Sequence, residues 1–337
     1  MNAGPDARPL VALHDVGRDF DVSRPWLNRV VERAPRQVLR AVDGLSFEVR
    51  RGETFALVGE SGCGKSTAAR LIVGLHAPSR GRITFDGMAQ TPTAGGWRPE
   101  VRRRMQMIFQ DPYASLNPRW RVAAIVAEPL RAHRLILGDA GAQARVPQLL
   151  TQVGLSPDDA RKYPHEFSGG QRQRISIARA LSTAPDFLVC DEPTSALDVS
   201  VQAQILNLMK ELQSRLGLTY LFISHNLAVV SQMAARVGVM YLGRVVELAP
   251  AAALFARPRH PYTRMLLDAI PDLDMSGRPR TPVAGEVANP LDPPAGCAFH
   301  PRCPHANTRC RSERPLLQAA ADTLVACHGA EEGRLPG

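Results

Sequence analysis

The residues best suited to chemistry lie at positions 59–67, which read GESGCGKST. This stretch fits G-x-x-x-x-G-K-[ST], in which glycine amides face phosphate oxygens and a helix N-terminus adds positive potential. We expect Lys65 to reach the β- and γ-phosphates and Ser66 to supply a hydroxyl ligand to Mg²⁺. The sequence therefore predicts a nucleoside triphosphate site made of Gly59, Glu60, Ser61, Gly62, Cys63, Gly64, Lys65, Ser66 and Thr67.

Two consecutive acidic residues end an apolar run later in the chain. Asp191 follows FLVC, where a carboxylate that acts on Mg²⁺ would stand. Glu192 comes next and is placed to polarise a water for attack on the γ-phosphate. The loop and the two acids together predict triphosphate hydrolysis, but they do not indicate which process the hydrolysis drives.

A second stretch suited to an anion is EFSGGQRQR, residues 166–174. Serine caps exposed amides at a helix start, and glycine leaves such amides open to a ligand. The chain therefore carries two predicted helix N-termini that could receive phosphate, and the second needs an explanation.

Four of the six cysteines cluster near the C-terminus, with the spacing C-x5-C-x6-C-x16-C; they are Cys297, Cys303, Cys310 and Cys327. Four thiolates suit an iron–sulfur cluster or a Cys₄ zinc site, and the absence of a C-x2-C pair argues against a typical zinc ribbon. A zinc site could also recruit His300, His305 or His328. Reduced cysteines without a ligand remain a third interpretation.

The length and composition limit the class of protein. A chain of 337 residues with 45% hydrophobic and 22% charged residues predicts a globular protein of two domains. No apolar run approaches the ~18–20 residues that span a bilayer, and the first residues lack the apolar segment of a secretory signal, so we expect a cytosolic chain. The net charge of +9 permits contact with nucleic acid or an anionic membrane, but a merely solvated surface explains it equally well.

Several elements must position these residues. Alternating runs at 10–16, 45–50 and 81–87 predict a half-exposed sheet, with an exposed insertion over 24–37. Residues 115–165 lack strand signals and predict helices and loops.

The segments around the candidate residues have a different residue pattern. Short apolar runs at 54–58, 186–192 and 219–224 predict buried strands of a parallel sheet, with helices over 66–75 and 201–217. Residues 237–248 predict a closing hairpin. After about Pro250, prolines and histidines rise, which predicts a second, small domain.

The stretch FSGGQRQR resembles the LSGGQ signature of ATP-binding-cassette (ABC) ATPases, with Phe167 at the first position. The resemblance covers the whole chain. It implies a Q-loop at Gln110, which would also bind Mg²⁺, a D-loop at 195–198 that ends in Asp198, and a switch histidine at His225. It also places Phe20 where an aromatic ring would stack on adenine.

What the resemblance implies about fold and mechanism explains the second anion site. The fold would be the α/β P-loop NTPase cassette: a parallel RecA-like core, an antiparallel β subdomain, an inserted helical subdomain and a Cys/Pro-rich C-terminal extension. Two such subunits would pack head to tail, so that each signature binds the γ-phosphate held by its partner. The residues that would do so are Ser168, Gly169, Gly170 and Gln171.

Further stretches resemble the ATPase subunits of bacterial oligopeptide and dipeptide importers. They are DPYASLNPR (111–119), YPHEFSGG (163–170), HPYTRMLLDAIP (260–271) and GEVANPLDPPAGCAFHPRCPHA (285–306). The resemblance implies a cassette over residues 1–255, with its helical subdomain at about 111–175, and the extension over 256–337. Relatives with this extension are thought to hold a [4Fe–4S] cluster, and some import nickel, glutathione or other small solutes.

The same resemblance implies the partners. We expect a second cassette subunit (homologous or a copy of this chain), two transmembrane permease chains and an extracytoplasmic solute-binding protein, with this chain peripheral on the cytoplasmic membrane face. A soluble cassette ATPase acting on ribosomes or DNA would suit the charge, but the chain has no second cassette, heptads or nucleic-acid motif. A regulatory module that does not hydrolyse ATP would lack catalytic residues that are present here.

Overall fold

A computed structural model gives the fold and describes residues 8–32, 35–90, 97–136, 138–269, 285–320 and 322–335. The elements up to residue 181 are β1 (Val11–Asp21), α1 (Trp26–Glu32), β2 (Val38–Val49), β3 (Thr54–Val58), α2 (Lys65–Ile72), β4 (Arg80–Phe85), β5 (Met88–Ala89), α3 (Pro99–Arg104), β6 (Met105–Ile108), α4 (Pro112–Ser115), α5 (Val122–Ala132), α6 (Gly138–Gln152) and α7 (Gly169–Leu181). The later elements are β7 (Phe187–Asp191), α8 (Val199–Leu216), β8 (Thr219–Ser224), α9 (Leu227–Met233), β9 (Arg236–Tyr241), β10 (Arg244–Pro250), α10 (Ala251–Ala256), α11 (Pro261–Asp268), α12 (Thr308–Ser312), β11 (Gln318–Ala320), β12 (Thr323–Val325) and α13 (His328–Glu331).

The smaller of the two sheets is antiparallel, with the strand order β2-β1-β4-β5. It contains the three alternating runs of the sequence, and β1 pairs with both β2 and β4. The predicted exposed insertion between β1 and β2 contains the short helix α1, whose Trp26 side chain is exposed. The antiparallel β subdomain is thus confirmed.

The larger sheet has eight strands in the order β11-β12-β10-β9-β3-β8-β7-β6. From β9 to β6 every neighbouring pair is parallel. All residues of β3, β7 and β8 are buried, as expected for parallel strands that are covered on both faces. The predicted hairpin is also confirmed, because β9 and β10 pair antiparallel.

Helices α4 to α7 fill the chain between β6 and β7, where the sequence predicts helices and loops. Helix α5 packs against both α6 and α7. Apolar side chains from α5, α6 and α7 belong to one buried cluster that also contains residues of β7 and β8. This helical unit is therefore anchored to the parallel sheet by its own core. Among the described residues, no helix is both long enough and apolar enough to cross a membrane.

The C-terminal region continues the larger sheet. Strand β12 pairs antiparallel with β10, with Val325 opposite Glu247, and β11 then pairs with β12. Tyr262 and Phe299 lie in the same buried cluster as Val239 of β9. The region predicted as a small second domain thus shares both a sheet and a core with the cassette, and the division at residues 255 and 256 remains a prediction.

Candidate nucleotide site

A cavity of about 1420 Å³ lies where the two sheets meet. Side chains and loops of both sheets line it, together with part of the C-terminal region. Its wall includes Gly62, Lys65, Ser66, Gln110, Glu192 and His225. The structure thus brings the phosphate loop and the three candidate catalytic residues to one place.

The phosphate loop connects the buried strand β3 to helix α2. Lys65, which is 5% exposed, donates from Nζ to the carbonyl oxygens of Gly59 and Glu60, both at 2.8 Å. Gly64 has φ of +105°, and a Cβ there would lie 2.2 Å from the carbonyl oxygen of Ala41. Only glycine fits this close approach of the loop to strand β2.

Two oxygen ligands suited to Mg²⁺ meet beside the loop. Ser66 donates from Oγ to Oδ1 of Asp191 at 3.0 Å. Burial raises the pKa of Asp191, and the hydrogen bond from Ser66 opposes that rise. Magnesium prefers hard oxygen donors and is commonly bound through one or two carboxylates plus substrate phosphates. The pair therefore fits the predicted ion.

Glu192 is held between the other two candidate catalytic residues. Its Oε2 accepts from Nε2 of Gln110 at 3.0 Å, and its Oε1 lies 3.1 Å from Nδ1 of His225. The three residues follow β7, β6 and β8, which are adjacent and parallel. Carboxyl ends of parallel strands meet at one sheet edge, where such folds bind ligands. The carboxylate therefore faces the cavity with both oxygens oriented.

The signature residues lie away from the cavity, at the start of helix α7. Ser168 caps α7: its main-chain amide donates to Oε1 of Gln171 at 3.0 Å, and its Oγ accepts from the Gln171 amide at 3.4 Å. A Cβ on Gly170 would come within 2.4 Å of Val201 Cγ1 on α8. Neither Ser168, Gly169, Gly170 nor Gln171 lines the cavity, and neither does Asp198, which precedes α8. Their predicted action on a partner's nucleotide remains a prediction.

Phe20 does line the cavity, at the end of β1. Its ring contacts His76 edge-on, with 5.6 Å between the ring centroids, and the Arg18 guanidinium lies 4.7 Å from its centroid. Its stacking on adenine remains a prediction.

The four clustered cysteines line one small enclosed cavity, together with His260, His300, His305 and His328. All four are free thiols. Burial raises the pKa of Cys297 to about 11 and also raises the pKa values of Cys303 and Cys327. Among the described residues, no group of three or more His, Cys, Asp or Glu is arranged to hold a metal ion. The structure gives no support to the expected iron–sulfur or zinc site beyond this convergence of thiols.

Two residues at the loop are absent from the sequence-based set. Tyr262 accepts a hydrogen bond at its hydroxyl from the Glu60 amide at 2.8 Å, and Arg302 forms an ion pair with the Glu60 carboxylate. Tyr262 lies within a stretch that the resemblance singled out, but no local pattern indicates a contact with a loop 202 residues away.

Comparison with known proteins agrees with this geometry. Residues 42–195 match the family described as "ABC transporter", and residues 246–310 match "Oligopeptide/dipeptide transporter, C-terminal region". The chain is 50% identical over 324 residues to the putative oligopeptide transport ATP-binding protein YkfD of Bacillus subtilis, covering 95% of each chain. It is 47% identical to the di/tripeptide transport ATP-binding protein DppF of Pseudomonas aeruginosa, covering 96% of this chain and 98% of the relative.

Solved structures show the same fold. The dimeric post-hydrolysis state of the ATP-binding cassette MJ0796 bound to ADP and phosphate is similar at a TM-score of 0.60 and 26% identity, covering 72% of this chain and 98% of that one. CbiO1 of Clostridium perfringens, part of the ABC transporter complex cbiONQ, is similar at a TM-score of 0.60 and 27% identity, covering 74% and 91%.

Proposed function

The chain belongs to the ATP-binding proteins of ABC transporters, in the oligopeptide/dipeptide group, and on that premise we propose that its ATP hydrolysis drives peptide import. The cassette fold predicted from the sequence is confirmed by the solved relatives, and ATP hydrolysis is the activity of the family. The names of YkfD and DppF, which refer to oligopeptides and to di/tripeptides, support peptide as the solute.

The observation that carries the catalytic proposal is the placement of Glu192 between Gln110 and His225 beside the phosphate loop. Glu192 accepts the proton of the attacking water, and the contact with Gln110 orients its carboxylate. His225 positions the same group from the other side. Lys65 leaves the carbonyl oxygens of its own loop and turns to the β- and γ-phosphates. Ser66 and Asp191 would hold Mg²⁺, which would supply charge neutralisation there.

The second anion site acts in the partner subunit. Ser168 and the amides of Gly169 and Gly170 bind the γ-phosphate on the loop of a second cassette subunit, and Asp198 lies at that interface. Their absence from the cavity of their own chain supports this role. ATP then joins two subunits, and hydrolysis releases them. Two permease chains and a solute-binding protein complete the importer at the cytoplasmic membrane face.

The proposal is tested by purifying tagged Glu192→Gln protein from membranes in ATP and Mg²⁺ and identifying the co-purifying chains by mass spectrometry. Two polytopic permeases and a second cassette subunit are expected. If the associated solute-binding protein binds nickel or glutathione, the chain still acts in an ABC importer, but the imported solute is not a peptide. Recovery only in the soluble fraction with ribosomes or DNA would overturn the proposal.

We further propose that Cys297, Cys303, Cys310 and Cys327 hold a [4Fe–4S] cluster. The convergence of four free thiols on one enclosed cavity supports it. Anaerobically purified protein should be brown and should absorb broadly near ~400 nm, and Cys310→Ser should bleach it while Cys190→Ser, a buried cysteine in the core sheet, should not. Colourless protein with stoichiometric zinc would refute this assignment.

A further inference from the structure

The second residue of the phosphate loop is held by two side chains of the C-terminal region. Arg302 donates from Nη1 to Oε2 of Glu60 at 2.8 Å and from Nη2 to Oε1 at 2.9 Å. Tyr262 accepts from the main-chain amide of Glu60 at 2.8 Å. A paired guanidinium–carboxylate contact fixes direction as well as distance, so the Glu60 side chain and main chain are both restrained.

The Arg302 guanidinium lies in a buried environment. The Arg302 side chain is 2% exposed, and its Nη2 also lies 3.7 Å from Met265 Sδ. The rings of Phe299 and Tyr241 lie 5.8 and 6.0 Å from the guanidinium carbon. The contact with Glu60 raises the pKa of Arg302 further, so the group is charged throughout the physiological pH range. A buried charge that loses its partner is costly.

Tyr262 is also held in place by buried contacts. Its own amide donates to Nδ1 of His260 at 3.0 Å, which caps helix α11. Its ring is fully buried against Tyr241, with 4.7 Å between the centroids. The hydroxyl that meets the Glu60 amide is therefore fixed by the packing of the whole ring.

Glu60 is thus a junction between the C-terminal region and the nucleotide-binding lysine. Its carbonyl oxygen accepts from Lys65, its amide donates to Tyr262, and its carboxylate pairs with Arg302. When Lys65 turns toward phosphate, the other two contacts still hold the loop open at Glu60. A loop restrained in its bound shape has less conformational entropy to lose on binding.

We propose that Arg302 and Tyr262 are positioning residues for the phosphate loop, through which the C-terminal region sets the affinity of the cassette for ATP. The proposal requires ATP binding at this loop and is independent of the transported solute. It assigns to the C-terminal region an action on the nucleotide site of the same chain, besides any cofactor that its cysteines hold.

The test measures ATP dissociation constants and steady-state kinetics for Arg302→Gln, Tyr262→Phe, Glu60→Gln and the double variant Glu60→Gln/Arg302→Gln. Each single change should weaken ATP binding by roughly three- to tenfold, and KM should change more than kcat. Because Glu60 and Arg302 act as a pair, the double variant should be no weaker than the worse of the two single variants. Arg302→Lys should recover only part of the loss, since an ammonium cannot pair with both oxygens.

Arg309→Gln is the matched control. Arg309 also lies in the C-terminal region and makes ion pairs, but with Glu313, Glu331 and Glu332 of that region. It should bind ATP like the unaltered protein. Strictly additive losses in the double variant, or a lower melting temperature with unchanged ATP affinity in the single variants, would overturn the proposal. If Arg302→Gln does not fold, Tyr262→Phe decides it, since it removes only the hydroxyl that meets the Glu60 amide and keeps the buried ring.

Discussion

At the residue scale, Glu192 stands out because its main chain is strained where its side chain is most constrained. Its φ is +47°, in the left-handed region that side chains larger than glycine rarely occupy. Such strain persists only where surrounding contacts impose it, and it is frequent at active sites. Here it turns the carboxylate out of the end of β7 toward Gln110 and His225.

Replacing this carboxylate should separate hydrolysis from nucleotide binding. Glu192→Gln keeps the shape and the contact with Gln110 but cannot take a proton from water, so ATP turnover should fall on the order of 10²–10⁴-fold. ATP-dependent dimerisation, followed by light scattering, should persist. Glu211→Gln, on an exposed face of α8 beside Arg215, is the control and should hydrolyse normally. If Glu192→Gln retained its ATP turnover, Glu192 would not be the catalytic base.

A second residue-scale effect concerns stability and pH. Burial lowers the pKa of His260 to about 3, because its neutral ring caps α11 inside the core. The unfolded chain then binds more protons below pH ~6.5, so the stability is complete above that pH and is lost as the pH falls from ~6.5 toward 3. At pH 5 the free energy of unfolding should be lower by about 2 kcal/mol, measured by urea titration.

His260→Asn is the control for this titration. The Asn oxygen can accept from the Tyr262 amide but does not titrate, so the variant should lose the part of the pH dependence due to His260. The neighbouring Glu247 works in the opposite sense, because burial raises its pKa and the folded chain gains protons there as the pH falls. An unchanged slope between pH 7 and 5 in His260→Asn would contradict the prediction.

At the element scale, helix α7 begins with a reciprocal cap made by the same residues that are proposed to bind phosphate. Ser168 and Gln171 satisfy each other's main-chain amides. Ser168→Ala should therefore lower the free energy of unfolding by about 1 kcal/mol in the monomer without nucleotide, and it should also weaken ATP-dependent dimerisation.

Ser231→Ala provides the comparison for this helix. Ser231 is exposed on α9, and its hydroxyl donates to the Ala228 carbonyl oxygen in the same helix. Ser231→Ala should change the free energy of unfolding by less than ~0.5 kcal/mol and leave ATP-dependent dimerisation intact. A Ser168→Ala protein with normal dimerisation would show that the hydroxyl is structural only.

The sequence predicts those elements whose formation depends on neighbouring residues, and it does not predict contacts between residues that are distant in the chain. Strands β3, β7 and β8 are continuous apolar runs, and Glu192 and His225 directly follow β7 and β8, so the meeting of these two residues could be inferred. The short strand β6 before Gln110 is not among the strands that the sequence predicts. Strand β12 has only three residues, with Leu324 exposed between two buried neighbours, and its partner β10 lies far away in the chain. The pairing of Glu60 with Arg302 spans 242 residues and depends on the completed fold. No local pattern encodes it.

At the scale of the whole molecule, the eight-stranded sheet and its core run without interruption into the C-terminal region. Glu247 is fully buried on β10, and it accepts from the amides of Arg259 and His260 beyond the expected domain boundary. Tyr262 and Phe299 pack on Tyr241 of β9. The C-terminal region thus covers groups of the cassette that would otherwise be exposed or unpaired.

Removing residues 256–337 should therefore damage the cassette itself. The loss of the buried Tyr262 and Phe299 should lower the free energy of unfolding by at least about 3 kcal/mol, and the exposed β10 edge should favour aggregation. Soluble yield and melting temperature are the measurements, with a chain lacking residues 1–7 as the control. A soluble truncated cassette with an unchanged melting temperature would contradict this and support independent domains at the boundary 255/256.

The contacts of Arg302 and Tyr262 with Glu60 also have a consequence during synthesis of the chain. Arg302 is made 242 residues after its partner, which at about 5–20 residues per second corresponds to roughly 12–50 s on the ribosome. During that interval the residues of the phosphate loop are made without their restraint, and strand β3 can pair only once β8 and β9 have been made. A nascent chain therefore passes through a stage that carries all the motifs for ATP but binds it weakly, so the completed protein acquires full nucleotide affinity only near the end of translation.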